Sequence, residues 1–538
     1  MTVARSAGDV LSDHVEFEVE CIDRMFLNVW VPRLAYGGGV QGFFVGHRGH
    51  HYASTALMDP MTKAFVADIH GFITARGLEL VSFGKERKDD VAHQFLAKFT
   101  GTEGVLFVGR AQEKARVWHT QRRYGPDGSP YAWLVRSTAF VNHFYFYCLD
   151  EDFGPFFIKF CTYFPYTAKL CINGNEWAKR QATKAGIGYT ALDNGFAAVD
   201  DVAALQAICD SLGSTQIEAL LRKWLRILPN PFTDADQAAD YRYELSILQA
   251  EFSLTHMLDA PVSGRIFFEQ VIRDNLDIGR PDQVALIFNR RIMCGRKRKT
   301  PGRFRTRVIT DGVIPSLHAD YKSTKIKQYH KEGRALRTET TINNPHDFGV
   351  TKRLTSLPEL RQLGFQANRR LLDVQTISHD PIRGAKAFTD LTAPVINDSG
   401  TRIAGLRFGD NRVHALLQAL LIHRLLPHGF TNRELRTLTA PLLGKQVEDI
   451  KPGQMTYALR RLRAHGLIER IPHSQRYHVT DTGLQYALLF THAHDHLLRP
   501  GLAQITDPSP PQPSPLRAAA RAYQTAFDDL TRQARLAA

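Results

Sequence analysis

The chain has 538 residues, enough for three or four domains, and its 43% hydrophobic content is that of a globular protein with an ample core. Its 68 lysines and arginines against 54 aspartates and glutamates leave a formal charge of +14, which suits a polyanionic partner. The 6 cysteines show no Cys-x-x-Cys spacing, the N-terminus has no signal-peptide pattern and no apolar run is as long as a membrane span; these features argue against a zinc or disulfide framework and for a reducing cytoplasm.

The expected fold is multidomain α+β. A small α/β unit occupies 1–125, an aromatic-rich antiparallel sheet plus helix 126–198, a helical region 199–289, a basic loop and β-meander 290–348, a helix and linker 349–410, a compact helical unit with two short strands 411–505, a Pro-rich linker 506–516 and a C-terminal helix 517–538. In the first unit, strands are expected at 26–31, 43–45, 78–83 and 104–108, with helices at 60–75 and 89–99. That alternation predicts a parallel sheet. His47-Arg48-Gly49-His50-His51 follows the strand at 43–45, where ligands bind in open α/β sheets, and is a candidate metal group.

Residues 142–149, 156–164 and 167–172 read as consecutive antiparallel strands. Aromatic residues take both parities, Phe144 and Phe146 against Tyr145 and Tyr147, so both faces should be covered. A helix with Glu176, Trp177 and Arg180 follows, then a strand at 188–192 ending at Asp193. This order of elements and acids is similar to that of RNase H-like nucleases and transposases. The resemblance implies Asp150, Glu176 and Asp193 as catalytic carboxylates, and Asp150, Asp152 and Asp193 as ligands of Mg or Mn, for in-line phosphoryl transfer. Read on their own, the same acids cap turns and element ends.

Residues 199–275 are expected to be helical, the longest helix running over 235–257 with Leu245, Leu248, Phe252 and Thr255 on one face. Arg290 to Arg307 is the densest positive run. Its loop, with Arg296, Lys297, Arg298 and Lys299, either tracks a phosphate backbone or is solvated. A meander of four strands follows over 304–342. With a two-residue turn at Glu332-Gly333, Lys325, Lys327, Tyr329 and Lys331 share one face, a phosphate ladder with a stacking ring. Gln328, His330, Arg337 and Glu339 take the opposite face. Lys327-Gln328-Tyr329-His330-Lys331 with Leu336-Arg337-Thr338-Glu339 resembles the paired strands Tyr-x-Lys and Leu-Arg-x-Glu of rolling-circle initiators and phage nicking enzymes. That likeness implies Glu339 with His330 as a one-metal nicking site.

The most informative stretch is 413–491. Thr431-Asn432-Arg433-Glu434 has capping-box spacing, and Lys451-Pro452-Gly453 opens the next helix. Met455, Leu459 and Leu462 make its buried stripe, leaving Thr456, Tyr457, Arg460, Arg461 and Arg463 on the other side. Gly466 ends it. Strands at 467–471 and 477–480 flank a tip that holds Gln475 and Arg476. The order, with Leu459-Arg460-x-Leu462-x-x-x-Gly466-Leu467-Ile468, resembles a winged helix-turn-helix of the MarR-like kind. The likeness implies a third helix in the DNA major groove and a wing on the backbone. Winged helices also bind proteins, and an arginine face is also simply a solvated one. The remainder resembles a group of bacterial proteins of unassigned function, which implies none here.

The proline-rich run at 507–515 is expected to be a stiff linker, and the Ala-rich helix after it is a candidate for docking on a second copy. Together these readings give a cytoplasmic nucleic-acid-binding protein with no membrane partner. Its partner is DNA, with RNA as the alternative. The rival is a metal-dependent nuclease, nickase or transposase-like enzyme of a mobile element, with Mg or Mn as cofactor. Length favours the rival, because a plain repressor needs far fewer residues.

Overall fold

The computed structural model describes residues 5–84, 87–259, 261–293, 300–301, 304–311, 314–331, 334–378, 380–397, 400–423 and 429–506, with scattered positions between 515 and 526. Arg296, Lys297, Arg298 and Lys299 lie outside the described residues, as does most of the linker and helix expected over 506–538. The chain is mixed α/β and divides into two compact units, Met1–Pro381 and Ile382–Ala538. No described helix is long and apolar enough to cross a membrane.

The larger unit is built on one sheet, eleven-stranded among the described residues. In chain order its strands are Val15–Trp30 (β1), Leu80–Ser82 (β2), Gly104–Tyr124 (β3), Pro130–Asp150 (β4), Gly154–Cys161 (β5) and Ala168–Asn173 (β6). A separate hairpin follows, Tyr189–Leu192 (β7) with Gly195–Val199 (β8). The sheet then takes Glu244–Leu258 (β9), Arg307–Asp311 (β10), Ile314–Tyr321 (β11), Thr324–Lys331 (β12) and Ala335–Ile342 (β13). The order across it is β10-β11-β12-β13-β9-β1-β6-β5-β4-β3-β2. Among the described residues only β2 and β3 pair in parallel.

Segments expected as four separate domains between 1 and 348 therefore share one sheet. The parallel α/β expectation survives only at β2 and β3, and Phe43 to Val45 lie in a helical turn, Gly42–His47. The expected helix over 235–257 is replaced from Glu244 onward by β9, between β1 and β13. The cause is burial on both sides. From Phe252 to Leu258 every residue is buried, so the period-2 alternation that marks a half-covered strand is lost.

Helices cover the sheet where its side chains demand it. Thr55–Ala75 (α1) sets Phe65 against Phe160 and Phe72 against Phe146, both with ring centroids 5.9 Å apart. Lys88–Lys98 (α2) meets residues of the other parity. Phe95 stacks on Phe107 at 4.4 Å, and Phe107 on Tyr147 at 4.6 Å. Both faces are covered, as the aromatic pattern predicts. After Gly174–Lys184 (α3) comes Val202–Ser211 (α4), which closes the edge of β1 that β6 does not reach. Gln206 accepts from the Glu20 backbone N–H at 2.9 Å and donates to its carbonyl at 3.0 Å, so a side-chain amide stands where a strand would pair. Next is Ser214–Ile227 (α5). Further on, Leu357–Val374 (α6) lies on β9. Phe365 meets Phe252 edge-on at 5.7 Å, and Asn368 donates to the Phe252 carbonyl while accepting from Thr340.

Gly364 allows that approach. A Cβ there would stand 2.3 Å from the Phe252 ring. We predict that Gly364→Ala costs about 1–3 kcal/mol by overpacking, which outweighs the ~1 kcal/mol gained in helix propensity. A lowered urea midpoint for the larger unit, restored in part by adding Phe252→Leu, is the expected result.

Candidate nucleic-acid interface

The smaller unit packs Asn411–His423 (α7), Asn432–Leu442 (α8), Pro452–Ala464 (α9) and Asp481–His492 (α10) with the two-stranded ribbon of Ile468–Arg470 (β14) and Tyr477–Val479 (β15). Leu417, Leu435, Leu459, Leu462 and Ile468 belong to its core. The capping box at the start of α8 forms as its spacing predicts: Thr431 N–H donates to Glu434 at 2.6 Å, and Glu434 N–H donates back to the Thr431 hydroxyl. Phe430 bridges to Tyr477 through two 2.8 Å backbone bonds, which adds a third edge to the ribbon.

On α9, Met455, Leu459 and Leu462 are buried, while Thr456, Tyr457, Arg460 and Arg463 are exposed. Thr456, Arg460 and Arg463 stand at i, i+4 and i+7 and so share a stripe. Thr456 is fixed by a 3.0 Å bond from Asn432 of α8. Two expected contact residues serve the fold instead. Arg461 donates to the carbonyls of Ala404 and Gly405, which anchors the flank of α9. Arg476 donates to the Gly429 carbonyl at 2.7 Å and pairs with Glu434 at 3.2 Å, so it closes the ribbon. Gln475, at the tip, is exposed. Arg460 and Arg463 form no ion pair among the described residues.

The lysine ribbon of the larger unit is corrected in two ways. Lys331 pairs with Ala335, leaving three residues (332–334) between the strands rather than two. The one-residue change turns the whole of β13 over, so Tyr329 and Lys327 share a face with Arg337 and Glu339. The phosphate ladder also shrinks. Lys325 is exposed, Lys327 sits 3.9 Å over the Tyr329 ring, and Lys331 is buried with its ammonium on the Asn194 carbonyl at 3.2 Å.

That shared face holds a buried ion cluster the sequence did not disclose. Arg337 is 0% exposed; its guanidinium lies 2.7 Å from both Asp23 and Glu339 and donates to the Asn194 carbonyl. Tyr329 donates to Glu339 at 2.8 Å, and Asn175 and Asn194 donate to Asp23. Burial works against the charge on Arg337, but Asp23 and Glu339 more than offset it and hold its pKa above the ordinary value. Burial, then the nearby Asp23, pushes Glu251 on β9 up to about 7. The only sequence signal was an arginine within a β-rich run.

The expected carboxylate set does not fit a two-metal site. Asp150 is buried with four donors: Lys223 and Trp224 at 2.8 Å, and the N–H groups of Asp152 and Phe153. Asp152 pairs with Lys184, Glu176 with Lys179 at 2.7 Å, and Asp193 lies 4.0 Å from Lys331. Each acid thus has its own cation, and the strand expected to bring Asp193 into the sheet is β7 of the separate hairpin. Glu339 is likewise taken by Arg337 and Tyr329, and His330 is not among its partners. His47 and Arg48 turn to Asp236, while His50 and His51 are exposed. No group of three His, Cys, Asp or Glu among the described residues could hold a metal.

No protein-family model, curated protein or solved structure matches the chain.

Two predictions concern the ion cluster. Arg337→Met leaves Asp23 buried without its counter-ion and should cost about 3–5 kcal/mol in denaturant unfolding. Glu251 keeps its proton to about 7 when folded, against an ordinary value of 4.5, so its contribution is present below 4.5 and lost as pH rises through 7. Glu251→Gln should match wild type near pH 4.5 and become the more stable of the two by pH 8, by up to about 3 kcal/mol. A pH-independent difference between them would refute the assignment.

Proposed function

We propose that the protein binds double-stranded DNA, and that its smaller unit is a winged helix-turn-helix with α9 as the recognition helix and the β14–β15 ribbon as the wing. The observation that carries this reading is the exposed stripe of Thr456, Arg460 and Arg463 on a helix otherwise immobilised by its leucines and by Arg461. A guanidinium held on a rigid helix is suited to a guanine edge or a phosphate, because little freedom is lost on contact. Gln475 at the tip and the formal charge of +14 point to the same polyanion. Leu489, Leu497, Leu502 and Ile505 are exposed on the helices from α10 onward, which supports a homodimer as the binding species.

Arg460→Ala and Arg463→Ala should each weaken binding to a selected duplex by about 1–3 kcal/mol where the side chain reads a base. Where it meets a phosphate, the slope of log K against log salt should flatten by roughly 0.9. Arg461→Ala should instead lower the melting temperature. Gel-shift titrations at several salt concentrations on a selected site are the measurement, and unchanged affinity and slope in the Arg460 and Arg463 variants would remove α9 as the reader.

A further inference from the structure

β3 and β4 pair continuously from Phe107↔Tyr147 to Tyr124↔Pro130. Only the inner part of this hairpin is flanked by other strands. β2 follows β3 no further than Arg110, and β5 leaves β4 at His143. From Ala111 outward the pair is a two-stranded arm, roughly 45 Å long at the usual rise of a strand. Its root is seated: Trp118 donates to the Leu34 carbonyl at 3.2 Å, Arg136 to that of Ala35 at 3.0 Å, and the Thr55 hydroxyl to Thr120 at 2.9 Å. Beyond Thr120 nearly every residue as far as Tyr131 is exposed.

Val117 and Val141 on the inner stretch still pack with Cys161, but the ribbon beyond Thr120 is exposed on both faces and would be expected to be polar throughout. This one displays rings. Tyr124 is 63% exposed, Tyr131 44% and Trp133 46%. Arg122 lies over Tyr124 at 5.6 Å, and Arg123 over Trp133 at 4.8 Å. Between positions 111 and 142 there are 5 lysines and arginines against 2 acids. Both acids are engaged locally, Glu113 by Lys88 and Lys159, and Asp127 by Ser129 within the turn. Arg122 and Arg123 form no ion pair among the described residues. Cross-strand ring and cation pairs steady a hairpin; Arg122 and Arg123, adjacent in the strand, stand on opposite faces of it, and no acid neutralises either among the described residues. Such a surplus of charge beside half-exposed rings matches a polyanion that also offers flat faces. A bilayer would call for an apolar apex, and this apex is the polar turn Gly125-Pro126-Asp127-Gly128-Ser129.

We infer that one face of this arm, where Arg123, Tyr131 and Trp133 stand on the same side of the ribbon, is a nucleic-acid-binding surface for an unpaired strand: bases stack on Tyr131 and Trp133, and phosphates pair with Arg123. Duplex bases are already stacked on one another and cannot use the rings, which separates this surface from the duplex reading of α9. The arm belongs to the larger unit and does not rest on that reading.

The test uses the full-length protein, with labelled oligothymidylate, oligouridylate and a duplex of equal length (about 20 nucleotides), and phosphatidylserine vesicles. Anisotropy gives affinity, and tryptophan emission reports Trp133, the most exposed indole on the arm. Arg123→Gln and Trp133→Leu should each weaken single-strand binding about tenfold or more at unchanged melting temperature. Wild-type emission should be quenched by the strand, and most of that quench should vanish in Trp133→Leu. The tighter of the two oligonucleotides assigns DNA or RNA as the source of the strand. Arg460→Ala/Arg463→Ala should leave single-strand binding intact, so failure of the arm and failure of α9 give different patterns. Wild-type affinity in both arm variants overturns the inference, and so does arm-dependent binding to vesicles without binding to either strand.

Discussion

The ion pairing of Arg337 with Asp23 and Glu339 is the constraint on which the larger unit depends. A guanidinium fully removed from water is tolerable only if its counter-ions arrive in register. Asp23 comes from β1, Arg337 and Glu339 from β13, Tyr329 from β12, and Asn194 from the β7–β8 turn. Slipping any of these strands by one residue would send a charge to the opposite face, where Phe252 and Phe365 pack. One polar cluster therefore fixes the register of several strands and the seat of a hairpin that lies outside the sheet.

Around that centre the sheet is finished by local devices. Gln206 occupies an edge of β1 with a single side chain, and Asn368 ties α6 to a strand carbonyl and a threonine at once. Asp150 gathers a turn, an indole and a lysine. In each case a polar side chain meets several backbone or side-chain groups, so it is satisfied by structure rather than left open for chemistry. The acids that looked catalytic in sequence are consumed in this way.

What the sequence disclosed were local rules. The Thr431–Glu434 box, the proline opening α9, its Leu459–Leu462 stripe and the two-parity aromatics of β4 depend on neighbours a few residues away, and each forms as read. What stayed hidden depends on distant partners. β9 is covered on both faces and loses its alternation, so it reads as a helix. The β12–β13 register turned on one loop residue. Arg461 and Arg476 look like free cations until the carbonyls of Ala404, Gly405 and Gly429 are placed beside them. Spacing alone cannot tell a reader arginine from an anchor.

Glu434 shows how such an anchor shapes what can vary. The same carboxylate caps α8 and receives Arg476, and Ile471 N–H closes on the Arg476 carbonyl at 2.9 Å. The ribbon is thus locked at its base, and within the tip Ser474 holds the turn: its hydroxyl donates to the Ile471 carbonyl at 3.0 Å and accepts from the Arg476 N–H at 3.2 Å, and its carbonyl accepts from Arg470 at 3.0 Å. What can vary is therefore narrow: the side chains of Pro472, His473 and Gln475 take no part in these bonds and can be exchanged to retune what the tip touches, while Ser474 and the length of the tip stay fixed.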